Sequence, residues 1–448
     1  MSDEIATLER LLDKLDASLP RLRKLERYYE ARERPEAIGL SLPPEMDQLR
    51  TVVGWPALSV DSIEERLDVE AFQLGGDTTT DERLWDWWQA NDLDEESSLG
   101  HLDALIFGRS YVTVSAGESP GDPPVIAVES ARSMAVEHDP ATRKLAAAAR
   151  VFERDPNTGE ASGVVLYLPG QNVTYRRSNG KWTAESPNRF AVPEVAVVPL
   201  VNRARLAKRN GVSEIWRVSQ ITDAACRVLT GLQAAQEMLA VPQRYVLGAT
   251  EADFVDQSGK PVSKWAAYIG RFLALGNSDA KMGQLAGADL SNFTQVLDAY
   301  AKLVASETGL PPHYLGHSSD NPASADAIRS AEARLVKRAE RKARSFGESW
   351  ERVMRLALRF VGDDDAAARR LETVWRDPAT PTYAAKADAV VKLHQSGIIP
   401  KEAAWEQMGF SPEYRAHLRS LDAADPAVRY LEQQRALAAE PEEPGEVA

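Results

Sequence analysis

Apolar residues recur every three or four positions along both ends of this chain, and every second position in a stretch between them. Ile5, Leu8, Leu12, Leu15, Leu19, Leu22 and Leu25 predict an amphipathic helix over residues 3–33, which Pro20 should kink or divide. A second helical stretch is predicted over 47–66, interrupted at Trp55-Pro56, and a third over 81–107. Gly108-Arg109-Ser110 then breaks into a strand at Tyr111–Val114. From about 123 to 200 the alternation predicts strands at 125–128, 145–152, 164–168, 173–175 and 182–184, with Ser178-Asn179-Gly180 as a hairpin turn. The tract reads as a small, mostly antiparallel β-rich subdomain within a helical protein, so the fold class expected is α+β, mainly helical.

Beyond residue 200 the helical period returns. Ile215, Val218, Thr222, Ala225, Leu229, Leu232, Gln236 and Leu239 alternate steps of three and four. Such spacing suits a helix over 213–240 packed lengthwise on other helices, or an ordinary buried helix. Residues 243–290 are mixed, with strands expected at 244–247 and 272–275 and a helical turn at 265–269. A helix follows over 291–308, with Phe293, Val296, Leu297, Tyr300, Leu303 and Val304 on one face. Pro311, Pro312, Gly316 and Asn321-Pro322 exclude a helix over 310–323. Ser324 offers an N-cap, and no proline follows before Phe360, so a helix of roughly 55 Å is predicted. From about 377 the chain is helical again, with a short connection at 396–400, and the acidic, Pro-rich tail from Ala438 is expected to be disordered.

Charge and chemistry narrow the picture. Lys and Arg number 53 against 67 Asp and Glu, a net charge of −14, which does not suit a protein whose affinity rests on neutralising phosphates. Cys226 is the single cysteine, read as a small buried residue on a helix, and it excludes an intrachain disulfide or a thiolate zinc site. The N-terminus lacks a basic start and apolar core, and no run of 18 apolar residues exists, so neither a leader nor a membrane partner is expected. No GxxxxGK[ST], GxSxG or HExxH is present, and no cofactor or metal is expected. His313 and His317 are close in sequence but lie in the Pro/Gly loop, which favours a polar surface over a metal site. Asp94-Glu95-Glu96 and Asp363-Asp364-Asp365 are sequential runs, better read as solvated caps than as a two-metal centre. The long helix is the one local basic concentration expected, with ten Lys/Arg between Arg329 and Arg359. They suit either solvated pairs such as Glu348–Arg352 and Glu351–Arg355 or contact with a polyanion or an acidic neighbouring subunit.

The order of these parts resembles the portal proteins of tailed bacteriophages, in the branch common among phages of actinobacteria. The resemblance spans roughly residues 20–430. It is carried by Glu26-Arg27-Tyr28-Tyr29, by Val60-Asp61 through Arg66-Leu67 and Phe72, by the run 104–114, by Leu310-Pro311 with 324–329, and by Trp375-Arg376-Asp377-Pro378. It implies a ring, a dodecamer in assembled particles, around a channel for double-stranded DNA at the capsid vertex. The parts would be a wing (1–210, and the long helix with its link at 324–376), stem helices (213–240 and 291–309), a clip (241–290), a tunnel loop (310–323) and a crown (377–430). It implies the major capsid protein, a terminase that supplies ATP hydrolysis and a head-tail adaptor as partners, and no catalysis by this chain. His313, His317, Ser318, Ser319 and Asn321 would face the DNA channel. Lys260, Lys264 and Trp265 would be docking residues on the clip, although Trp265 equally suits the insert's own core. Another helical virion scaffold or adaptor is the alternative, weakened by the β-rich and clip-like inserts. A terminase subunit is a further one, weakened by the missing P-loop.

Overall fold

The computed structural model describes residues 2–33, 51–75, 81–119, 121–185, 187–239, 244–248, 281–284, 290–316, 325–363, 366–379, 383–410 and 412–424. Two compact units divide the chain after Pro378.

The first unit opens with α1 (Ser2–Tyr29), one continuous helix through Pro20. Pro20 therefore does not divide it, although the ring removes the bond that residue 20 would donate to the Asp16 carbonyl. Unbroken burial of Leu8, Leu11, Leu15, Leu19, Leu22 and Leu25 holds the helix together across that gap. Pro20 instead marks where the helix changes neighbours. Leu8–Leu15 pack on a β-sheet, and Leu22–Tyr28 belong to the main core. In α2 (Trp55–Glu64), Pro56 lies at the first turn, where a missing N–H costs nothing, so Trp55-Pro56 starts the helix rather than interrupting it. Strand β1 (Val69–Gln73) follows.

The helix expected over 81–107 is two, α3 (Glu82–Ala90) and α4 (Leu93–Phe107). Asn91 ends the first. Its amide donates to the carbonyls of Trp87 (2.8 Å) and Pro124 (2.9 Å), and its Oδ1 accepts from the Ile126 N–H. Asp92 then adopts a left-handed conformation before α4 begins.

The period-two tract divides between two antiparallel sheets. β2 (Arg109–Ser115) is flanked by β3 (Val125–Glu129) and by β10 (Val197–Val201), a strand the sequence reading missed. A six-stranded sheet contains β4 (Met134–His138), β5 (Leu145–Arg154), β6 (Ala161–Leu168), β7 (Gln171–Ser178), β8 (Lys181–Ala184) and the short β9 (Asn188–Arg189). Asn179 and Gly180, both at positive φ, form the expected hairpin turn between β7 and β8. Ala147, Ala149, Val151, Val164, Leu166, Val173 and Tyr175 alternate onto the face that receives α1.

Helix α5 (Ser219–Leu239) begins later than expected, after a 3₁₀ turn at Ile215–Arg217. Short strands β11 (Arg244–Leu247) and β12 (Lys281–Gln284) pair antiparallel ahead of α6 (Ser291–Thr308). The long helix is α7 (Ala325–Phe360). Leu335, Ala343, Phe346, Trp350, Val353 and Ala357 recur along it and fill the main core, while Ile328 near its start is 40% exposed. Trp350 donates through Nε1 to Nε2 of His101 on α4 at 2.8 Å, and Phe346 stacks on the same imidazole. Burial pushes His101 down to about 3, so it is neutral at pH 7. Strand β13 (Glu372–Trp375) returns to pair with β1, some 300 residues earlier in the chain.

The second unit contains α8 (Tyr383–Gln395), α9 (Lys401–Met408) and α10 (Pro412–Ala424). Gly397 in the expected connection and Gly409 after α9 both adopt positive φ. Arg419 on α10 donates to Glu402 on α9 at 2.6 Å. Residues 438–448, expected to be a disordered tail, lie outside the described residues.

Candidate functional site

Helices α5 and α6 pack on one another, and their burial runs in opposite directions along the chain. Val218, Thr222, Ala225 and Cys226 near the start of α5 are buried, whereas Leu229 and Leu232 are only partly covered and Gln236 is exposed. In α6 the covered positions, Ala301, Val304 and Thr308, come at the end. The pair thus leads out from the core and back, with β11 and β12 between its outer ends in sequence. The face expected on α6 separates into two rows. Phe293, Leu297, Tyr300 and Val304 turn inward, but Val296 (41% exposed) and Leu303 (52%) meet solvent.

The loop after α6 is pinned at its base. Gly309 closes the helix at positive φ, and a Cβ there would lie 2.9 Å from the Arg334 side chain. Leu310 is buried, and a 3₁₀ turn covers Pro312–Leu315. The Tyr314 hydroxyl donates to Glu332 on α7 (3.1 Å) and accepts from Arg66 after α2 (3.1 Å). Burial and the Glu332 carboxylate raise the phenol's pKa, against the pull of Arg66, so it stays protonated in this clamp. His313 is exposed and meets the Tyr314 ring edge-on at 4.9 Å. His317, Ser318, Ser319 and Asn321 lie outside the described residues, as do Lys260, Lys264, Trp265 and the elements expected at 265–269 and 272–275.

Much of the basic character of α7 is used internally. Glu214, fully buried, receives Lys342 Nζ at 2.6 Å, Arg338 Nη2 at 2.9 Å and Arg203 Nη1 at 3.2 Å. Asn202 donates to the same carboxylate and accepts from Lys342. Burial alone would raise the Glu214 carboxyl, but Lys342, Arg338 and Arg203 outweigh it and hold it below the usual carboxylate range. Burial also pushes Lys342 down to about 8, against the attraction of Glu214. Elsewhere on α7, Glu351 pairs with Arg355 as expected, but among the described residues no ion pair joins Glu348 to Arg352. Arg359 reaches Glu194. A denser basic run, Arg203, Arg205, Lys208 and Arg209, escaped the sequence reading although no acid interrupts it and Asn210-Gly211 marks a turn.

Among the described residues nothing assembles a reacting centre. Asp94 accepts from Trp88 Nε1 (2.8 Å) and from Gln89 (2.9 Å), side-chain bonds that tie the start of α4 to α3. Among the described residues no cluster of His, Cys, Asp and Glu could hold a metal ion, and no helix is long and apolar enough to cross a membrane.

The chain is similar to known proteins over most of its length. The family described as phage portal protein, SPP1 Gp6-like, matches residues 8–425. The portal protein of Mycobacterium phage L5 is 44% identical over 413 residues, covering 90% of this chain and 85% of that protein. The portal protein of Mycobacterium phage D29 is 44% identical over 418 residues, covering 91% and 86%. Among solved structures, a chain of the virion of a native gene transfer agent particle aligns with a TM-score of 0.46 and 15% identity, over 87% of this chain and 99% of that one. With the match extending from α1 to the end of the helical region, the chain belongs to the phage portal protein family of the SPP1 Gp6-like type.

Proposed function

We propose that copies of this chain close into a ring, a dodecamer, around a channel at the capsid vertex through which double-stranded DNA enters and leaves the head. The observation that carries this reading is the match to portal proteins over nearly the whole chain at 44% identity. The uncovered rows on α5 and α6 add physical support, since helices with Leu229, Leu232, Val296 and Leu303 incompletely covered lack lengthwise neighbours that adjacent copies would supply. In this assignment α5 and α6 form the stem, residues 241–290 the clip and 310–323 the tunnel loop. Residues 1–210, with 324–376, form the wing, and 377–430 the crown.

The chain itself performs no catalysis in this reading. It holds the vertex open and offers its clip, through Lys260, Lys264 and Trp265, to a terminase that hydrolyses ATP and later to a head-tail adaptor. The major capsid protein surrounds the ring. His313, His317, Ser318, Ser319 and Asn321 make light, sequence-independent contacts with DNA. A net charge of −14 suits passage, because close neutralisation of many phosphates would hold moving DNA in place. Electron microscopy of the purified protein tests the reading. Rings with a central hole are expected, with the subunit number read directly, and a compact oligomer without a hole would favour a scaffold or adaptor instead.

A further inference from the structure

Between β10 and α5 the chain makes a small hairpin that the stem and the loop do not use. Arg205 and Lys208 exchange backbone hydrogen bonds of 3.0 and 2.8 Å, which places Leu206 and Ala207 at the tip. Leu206 is 88% exposed. Arg203, Arg205, Lys208 and Arg209 surround it, and no acidic residue occurs from 202 to 213. Among the described residues no hydrogen bond or ion pair holds the side chains of Arg205, Lys208 or Arg209. An apolar tip beside three cations that have no partner among the described residues is therefore presented to solvent.

Its base is firmly built. Gly211 adopts a positive φ, and a Cβ there would stand 1.9 Å from the Gly108 carbonyl oxygen and 2.8 Å from that of Asn202. The Asn202 N–H donates to Gly108 and the Val212 N–H to Asn202, both at 2.9 Å. Arg203 is tied to buried Glu214. The hairpin is thus held at the C-terminal end of α4, which Gly108 closes.

The opposite end of α4 has the complementary character. Asp92, Asp94, Glu95 and Glu96 surround its first turn, and Leu99, one turn on, is 49% exposed. Asp92, Glu95 and Leu99 share one helix face at steps of three and four. Fifteen residues of α-helix span about 22 Å. One subunit therefore carries a basic, apolar-tipped knob and an acidic, apolar-centred patch at opposite ends of one helix. Complementary patches on different sides of one molecule are what a head-to-tail contact requires, and such contacts make rings when the rotation closes.

We propose that the hairpin 203–209 of one copy docks on the first two turns of α4 in the next copy. Leu206 meets Leu99, and Arg205 and Lys208 face Glu95 and Glu96. This rests on the ring reading above. Duplex DNA is the other polyanion that could meet these cations, but an outward leucine at the tip has no use against a phosphate backbone, whereas an apolar counterpart stands exposed within the acidic patch.

The test uses the full chain and compares ring assembly by mass photometry and electron microscopy, with circular dichroism to verify folding. Arg205→Glu with Lys208→Glu, and separately Glu95→Lys with Glu96→Lys, should each raise the concentration needed for rings at least about tenfold, because like charges then meet at the contact. All four substitutions together should restore assembly to near the wild-type concentration. Folded reversal variants that form rings like the wild type, or a quadruple variant with no rescue, would overturn the contact and leave the ring reading standing. Intact rings that retain less DNA in the hairpin variant would overturn it in favour of a DNA contact. If the wild type forms no ring, alone or with the capsid protein, the ring reading falls and this contact falls with it.

Discussion

His101 is inaccessible to water and accepts a hydrogen bond from Trp350, so the fold requires its neutral form. Its ordinary value is 6.5 and its folded value about 3. Between those values the unfolded chain binds a proton that the folded chain does not, so stability present above pH 6.5 is lost as pH falls toward 3. His101→Gln should remove this dependence. From pH 7 to pH 5 the wild type should lose about 2 kcal/mol more than the variant, read from urea denaturation at each pH. Equal losses would show that another group carries the acid response. Single residues were unevenly legible in the sequence. Cys226 is the buried small residue its composition suggested. The carboxylate of Glu214 gave no such signal, because its partners Arg338 and Lys342 lie more than 120 positions away and local spacing carries no information about them. For the same reason the charges of α7 read as a surface, although two of them are spent on a buried counterion.

Elements with long, regular periodicity were the most legible. The 36-residue α7, the helices α5 and α6 and the Asn-Gly hairpin follow from apolar spacing and turn chemistry alone, whereas the packing of α5 on α6 was left open by spacing. Misreadings cluster where a tertiary contact overrides a local rule. Asn91 stops α3 by bonding to the chain before β3, and β10 is recognised only by its pairing with β2. α1 ignores Pro20 because leucines on both sides are buried in two different cores. That continuity has a cost, since proline within a helix is about 3 kcal/mol less favourable than alanine. Pro20 is itself exposed, so Pro20→Ala should raise stability by about 1–3 kcal/mol, seen as a higher denaturation midpoint with an unchanged slope. An unchanged midpoint would mean that the Asp16 carbonyl is already satisfied by solvent and that the ring causes no strain.

At the scale of the whole molecule, the loop proposed to line the channel is the part whose removal should separate assembly from passage. Tyr314, Arg66 and Glu332 fix its base, so replacing residues 316–321 with a short Gly/Ser link should leave rings intact and reduce the DNA packaged per particle. Particles filled to the normal level would count against a role for the loop. The family was legible because it is written in many weak local signals over most of the chain, whereas surfaces between copies leave no period to read. The pairing of β1 with β13 has a consequence of a different kind, in time rather than space. Trp88 and His101 finish their packing only against Trp350, and β1 finds its partner only when residue 375 has been made. Between α4 and Trp350 lie roughly 240 residues, about 12–50 s of synthesis at the usual rate. Throughout that interval the growing chain carries a tryptophan-rich, unfinished core on the ribosome. In the proposed ring, no copy could present a finished main core to its neighbour before residue 375 is made, so the fold itself would delay encounters between copies.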